Sequence, residues 1–198
     1  CLNLGHYKYC SNYNKVSFNT WTERSLVGYT NMARIDSFGF QSKYRTIVYA
    51  CAPGNSGTEY APLYWSSGLS ESSRFHSWEM AKRDFFSHNT SPANTHLFGG
   101  SNFWFDRVKK FTGEIPNTGG GQNVAASFPN SYVTAQAWLR SSTHCSNMLN
   151  GAYVSTGSGH AYIEASKYKH YYTEVFSNIQ VSTYPIVDGW HDKVSNVI

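Results

Sequence analysis

Apolar and polar positions along this chain follow a helical period for most of its length and a period of two near its end. From residue 20 onward Leu26, Tyr29 or Thr30, and Ala33 recur at three- and four-residue spacing, which predicts a helix. Thr20 and Glu23 stand in capping-box positions at its start, and the Asp36-Ser37-Phe38-Gly39 turn must end it. Residues 70–86 form the clearest helical stretch. Ser70 can cap it, and Phe75, Trp78, Ala81, Lys82 and Phe85 share one face, with Leu69 leading in. Shorter helices are predicted over 101–111, with Trp104, Val108 and Phe111 inward, and over 131–140, with Val133, Ala137 and Trp138 inward.

After a turn around His144 the pattern alternates. Residues 153–165 and 169–181 predict two antiparallel strands joined near Ser166-Lys167. Residues 46–49 predict one short strand. Residues 87–101 and 112–121, rich in Gly, Asn, Ser and Pro, read as loops, and residues 1–19 as an irregular lead-in. No repeat or linker divides the chain. Helices followed by a late hairpin predict one α/β (α+β) domain, a sheet sandwiched by helices.

The chain's 198 residues suffice for one substantial core. Hydrophobic residues at 40% against 14% charged predict folding rather than disorder. Aromatics reach 17%, which suits half-buried surfaces and wet grooves as well as a core. The net charge of +4 is scattered, with Lys167, Lys169 and His170 the densest cluster; without a basic stripe, no nucleic-acid partner is expected. No apolar run is long enough to span a bilayer.

Cys1, Cys10, Cys51 and Cys145 form no C-x-x-C pair, which argues against a zinc ribbon or thioredoxin motif. An even count in a chain poor in Lys and rich in Asn, Ser, Thr and Tyr predicts two disulfides in an exported protein. Of three possible connectivities, Cys1–Cys10 with Cys51–Cys145 is the favoured one. The protein is expected to be secreted after loss of a leader. A lipid anchor on Cys1 is the lesser alternative, because it would strand Cys10.

Several kinds of chemistry find no motif. There is no Gly-x-Ser-x-Gly elbow, and Gly119-Gly120-Gly121 lacks the Gly-Lys-Ser/Thr of a phosphate-binding loop. Ser141 and Ser142 lie near His144 in sequence only. His76, His160 and His170 are weak candidates on a predicted helix and strands. Asp84 and His88 could interact if the helix extended that far. Asn89-Thr90-Ser91 is an N-glycosylation sequon in a eukaryotic secretory pathway.

A set of short motifs in order carries more information. They are Phe85-Phe86-Ser87-His88, Phe105-Asp106-Arg107-Val108, Gly121-Gln122-Asn123-Val124-Ala125, the run from Ala137-Trp138 through His144-Cys145 to Leu149, and Tyr171-Tyr172-Thr173-Glu174-Val175-Phe176. Together they resemble the CAP superfamily of cysteine-rich secretory, antigen-5-like and pathogenesis-related proteins, in its bacterial SCP-like form. The resemblance implies a three-layer α–β–α sandwich, with residues 60–180 as its core. Residues 1–59 would be an N-terminal extension with the first helix packed on it, and residues 181–198 a tail, all one domain.

The resemblance also implies that His88 and His144 face each other across an open cleft and share a divalent cation such as Zn²⁺. Gln122 stands where the family has its first glutamate, and Ser141 falls near the second. Gln cannot act as a base near neutral pH and adds no charge to offset a cation. The expected function is therefore a monomeric, non-catalytic extracellular module that binds a lipid, sterol, glycan or protein. A metal-dependent hydrolase or protease using the two histidines is the alternative.

Overall fold

The alternating segment forms the middle of the molecule. The computed structural model describes residues 2–3, 8–9, 20–36, 49–51, 59–113 and 119–179. Strands Leu2–Asn3 (β1) and Lys8–Tyr9 (β2) make a separate antiparallel pair. The main sheet has four strands: Tyr64–Trp65 (β3), Gly121–Ala126 (β4), Ser155–Tyr162 (β5) and His170–Ser177 (β6). Their order is β3-β5-β6-β4, with β3 parallel to β5 and the other pairs antiparallel.

The alternation of β6 sorts two helical layers. Tyr172 and Phe176 join a core with Leu26 of helix α1 (Thr20–Ile35), Trp138 of α4 (Ser131–Leu139) and Met148 of α5 (Ser142–Met148). Tyr171 and Val175 point the other way, toward Phe75, Trp78 and Leu69 of α2 (Ser67–Arg83) and Val108 of α3 (Trp104–Thr112). A sheet covered on both faces must be buried along its length, and β6 is buried from Tyr171 to Ser177. This is the predicted α–β–α sandwich.

Helix α2 lies close on the sheet because its contact face is small. Ser73 Oγ donates to the Gly157 carbonyl at 2.8 Å, and Ser77 Oγ to the Gly159 carbonyl at 3.0 Å. A Cβ on Gly159 would overlap the backbone of Ser73 and Arg74, so only glycine fits there. Phe75, Trp78 and Ala81 are buried as predicted, whereas Lys82 is exposed.

Several boundaries differ from the sequence expectation. Ser66, not Ser70, caps α2 by accepting from the Leu69 amide; Ser70 is buried and donates back to the Ser66 carbonyl at 2.9 Å. The helix ends at Asp84, whose φ of 51° leaves the helical region, so it does not extend to His88. Asp84 Oδ1 instead accepts from the Lys167 amide at 2.8 Å. Glu23 is not reserved for a cap: its carboxylate is buried, takes Nε and Nη2 of Arg74, and accepts from the His160 amide.

The predicted 87–101 loop contains a 3₁₀ segment, Pro92–Phe98, opened by proline. The predicted turn around His144 is α5. Strand β4 has no counterpart in the sequence reading, because Gly-Gln-Asn-Val-Ala-Ala shows no alternation when both faces are buried. Cys51 and Cys145 form the expected disulfide. Cys1, Cys10, residues 46–48 of the strand predicted at 46–49, and the tail 181–198 lie outside the described residues.

Candidate functional site

The histidines at issue reach the site from opposite sides. His88 lies beyond the end of α2, in a segment fixed from beneath by buried polar groups. Glu79 and His76, one turn apart on α2, are both fully buried. Glu79 Oε1 lies 2.7 Å from His76 Nδ1, while its Oε2 accepts from the Ser91 amide and from Asn94 Nδ2. His76 Nε2 lies 2.7 Å from the Ser87 carbonyl. Because that carbonyl only accepts, His76 carries its proton on Nε2 or on both nitrogens. Burial pushes the His76 pKa down to about 4, with the neighbouring Arg107 charge adding to it.

Arg107 of α3 is the second support. Its guanidinium is fully buried, 3.5 Å from Glu79, and Nη1 donates to Thr90 Oγ1 at 2.7 Å. Nη2 donates to the carbonyl of His88 itself, at 3.3 Å. A buried ion pair of this kind is costly to break by removing one partner. It therefore pins the 87–94 segment against α2 and α3.

Gln122 of β4 is buried between Arg107 and His88. A guanidinium can only donate, so the amide oxygen must face it, 2.6 Å from Arg107 Nη2. The amide nitrogen then points to His88, 2.8 Å from Nδ1 and 3.2 Å from the carbonyl oxygen. The His88 ring itself is exposed.

His144 comes from α5, half-buried, with its ring centroid 6.3 Å from that of Trp138. Its carbonyl accepts from Asn123 Nδ2 at 3.1 Å, which ties α5 to β4. Burial, and then the charge of nearby His88, lower its pKa, so the ring stays neutral at physiological pH. The fold thus sets Gln122 against His88 and ties the His144 segment to Asn123, the next residue of the same strand. Ser141 precedes α5 without a side-chain cap bond.

Ser141 and His144 are polar members of a cavity of about 420 Å³. Phe86, Val124, Ala126, Phe128, Trp138 and Tyr168 supply apolar wall. That is a pocket of ligand-binding size with few polar groups, the usual composition of a small-molecule site.

As a cation site the donor set is thin. Zinc sites normally use three or four protein ligands. Among the described residues no group of three His, Cys, Asp or Glu is placed to hold a metal. The positions where carboxylates would help hold an amide and a hydroxyl. The residues present do not fit a resident divalent cation well.

The sequence reading quoted Arg107 only as part of a motif and missed its role, along with Glu79 and the role of His76. A signal existed. Arg107 follows Trp104 by three residues and adjoins Val108, on the inward face of the predicted helix; His76 and Glu79 are i, i+3. His160 and His170 form a second pair, with His160 Nε2 3.1 Å from His170 Nδ1. Asn89 is half-buried beside His88.

Comparison with known proteins agrees with this architecture. The sequence profile of the cysteine-rich secretory protein family matches residues 27–176. A search of curated proteins found no match. Among solved structures, an extracellular SCP-domain protein of Bacillus anthracis superposes with a TM-score of 0.54 at 20% identity, over 80% of this chain and 40% of its own. An outer surface protein of Borrelia burgdorferi gives a TM-score of 0.54 at 12% identity, over 82% of this chain and 98% of its own. A venom allergen-like protein of Schistosoma mansoni gives 0.49 at 14%, over 79% and 87%. The chain spans less than half the length of the Bacillus protein.

Proposed function

The chain belongs to the cysteine-rich secretory protein family, and from that premise we propose that it is a secreted, non-catalytic binding module whose cleft holds a small apolar or amphiphilic molecule. The cavity beside His144 carries the reading. Its wall is aromatic and aliphatic, and its volume suits a lipid fragment better than a hydrated glycan. The extracellular and outer-surface settings of the Bacillus and Borrelia proteins support secretion. No helix among the described residues is long and apolar enough to cross a membrane.

The chemistry of the site supports binding without turnover. Hydrolysis needs a positioned proton acceptor and a nucleophile within its reach. Gln122 cannot accept a proton, and the Ser141 hydroxyl has no hydrogen bond to an imidazole among the described residues. His144 is neutral, but no nucleophile is assembled on it.

The test is titration with octan-1-ol, a neutral probe, followed by amide chemical shifts. Saturable shifts are expected at Val124, Trp138 and His144, and Ala137→Phe, which fills the cavity, should abolish them while the protein stays folded. Absence of shifts in wild type would overturn the proposal. Hydrolysis of peptide or ester substrates by wild type, lost in His144→Ala, would replace it with the enzyme reading.

A further inference from the structure

We propose that the free edge of β4 accepts an added strand, so that the cavity beside His144 takes an extended peptide segment with apolar side chains. The inference rests on the binding-module reading and names the class of molecule that module holds.

The cavity lies where the sandwich is open at its side. Strand β4 ends the sheet order β3-β5-β6-β4, and residues 124–128, the end of β4 and its exit, run along the cavity wall. On one side the cavity is bordered by Tyr168, which packs with the α2 core, and by Phe86 against it. On the other it is bordered by Ala137, Trp138 and His144 of α4 and α5. A cavity walled by both helical layers, with one edge strand between them, faces the hydrogen-bonding edge of that strand.

The register shows which groups that edge presents. Bonded positions alternate along an antiparallel pair. Ser127 N–H donates to the His170 carbonyl at 3.0 Å, and from there the register carries the bonds to Ala125 with Tyr172 and Asn123 with Glu174. Across β6, Ile163 N–H donates to the Lys169 carbonyl at 2.9 Å, so the odd-numbered residues of β6 turn to β5 and the even-numbered ones to β4. Gln122, Val124 and Ala126 therefore turn their backbone groups away from β6. Side chains take two of the outward carbonyls: Asn147 Nδ2 that of Gln122 at 3.4 Å, and Trp138 Nε1 that of Val124 at 3.2 Å. The Val124 amide and both backbone groups of Ala126 make no hydrogen bond among the described residues. Val124 is only 4% exposed, so bulk water does not serve its amide freely. Ser127, at φ 71°, then turns the chain and ends the edge. A hydrocarbon tail in the cavity would leave these groups unpaired, which is costly where they are buried. An extended peptide answers them. One of its residues exchanges two bonds with Ala126, and the carbonyl two residues on accepts from Val124. Its side chains alternate between Phe86 and Tyr168 on one face and Ala137 and Trp138 on the other.

The probe is a blocked pentapeptide of alternating threonine and valine, titrated into wild type with octan-1-ol as the comparison and followed by amide shifts and hydrogen exchange. The peptide is expected to bind saturably and to slow exchange at the Val124 and Ala126 amides about tenfold more than saturating octan-1-ol does. The same peptide N-methylated at every residue should lose about tenfold or more in affinity. Ala126→Pro removes one outward N–H and no bond to β6, a change an edge strand tolerates. It should weaken the peptide about tenfold and leave octan-1-ol binding as in wild type, which also reports that the variant is folded. The exchange and N-methylation arms need no variant and decide the matter if Ala126→Pro does not fold. Octan-1-ol binding without peptide binding would overturn the inference and leave the cavity reading standing. So would peptide binding that leaves the two amides unprotected, survives N-methylation or is unchanged in folded Ala126→Pro. If neither probe shifts the amides, both readings fall.

Discussion

Two sets of histidines among the described residues, His160 with His170 on the sheet and His88 with His144 at the candidate site, differ in their surroundings in a way that explains what each can do. His160 and His170 lie diagonally on β5 and β6 and are bonded ring to ring at 3.1 Å. Tyr172 packs on His160, with centroids 4.5 Å apart, and Tyr162 on His170 at 4.7 Å. Each ring's polar partner is the other ring. At the candidate site, by contrast, His88 is bonded to an amide that the buried Arg107 orients, and His144 packs on Trp138. In the first pair one nitrogen of each ring is spent on the other, and the buried Nδ1 of His160 has no hydrogen-bond partner among the described residues. The second leaves His88 exposed, with no hydrogen bond to its Nε2 among the described residues, which is what a binding site needs.

The largest effects should come from supports that only the cleft pair has. The Cys51–Cys145 bridge spans 94 residues and anchors α5, which carries His144. In the chain-entropy model its loss costs about 4–5 kcal/mol. Denaturant unfolding of Cys51→Ser/Cys145→Ser should show that loss. Shifts in the native protein should concentrate in α5 and leave the β5–β6 hairpin as it was.

Arg107→Met comes next. It leaves the buried Glu79 without its cation, which should cost about 3–5 kcal/mol. It also frees Gln122 to turn, so His88 should lose its single tautomer while His160 keeps its bond to His170. An unchanged unfolding midpoint would mean that Arg107 is not the support described.

Acid should affect the β5–β6 pair more gently. Burial, and then the charge of His170, push the His160 pKa down to about 4. A depressed folded pKa means the unfolded chain binds the proton first. The stabilisation is therefore complete above about 6.5 and is lost as pH falls toward 4, by about 3 kcal/mol. Groups facing His160 are His170, Tyr172 and, at its amide, Glu23. Fully buried His76 acts with the same sign. His160→Gln should flatten the stability-against-pH curve between pH 6.5 and 4 without abolishing the slope, and calorimetry across that window checks it.

The smallest expected change is at Ser141. Its hydroxyl caps nothing, so Ser141→Ala should shift stability by less than about 0.5 kcal/mol and leave octan-1-ol binding intact.

The sequence revealed the fold better than the site. Alternation in β6 was legible because each face meets a different helical layer, and Phe75, Trp78 and Ala81 marked the buried face of α2. Strand β4 was not legible: buried on both faces and paired along β6, it needs no alternation. The serine face of α2 was also hidden, because Ser70, Ser73 and Ser77 are ordinarily surface residues and become core only opposite Gly157 and Gly159. His88, Gln122 and His144 were singled out through motif order alone, since they sit on a loop, a strand and a helix far apart in the chain. The orientation of the Gln122 amide could not be read at all. It follows from Arg107, whose burial only tertiary structure reveals.

That orientation is the central claim, and long-range ¹H–¹⁵N correlation spectra of the histidine rings test it most directly. At neutral pH, where the two ring nitrogens of a neutral imidazole have well-separated shifts, His88 in wild type should show a protonated Nε2 and a bare Nδ1. In Gln122→Glu the two should exchange roles. A wild-type His88 protonated on Nδ1 would contradict the account, because the Gln122 amide would then be turned the other way and the ring would offer the cleft a lone pair.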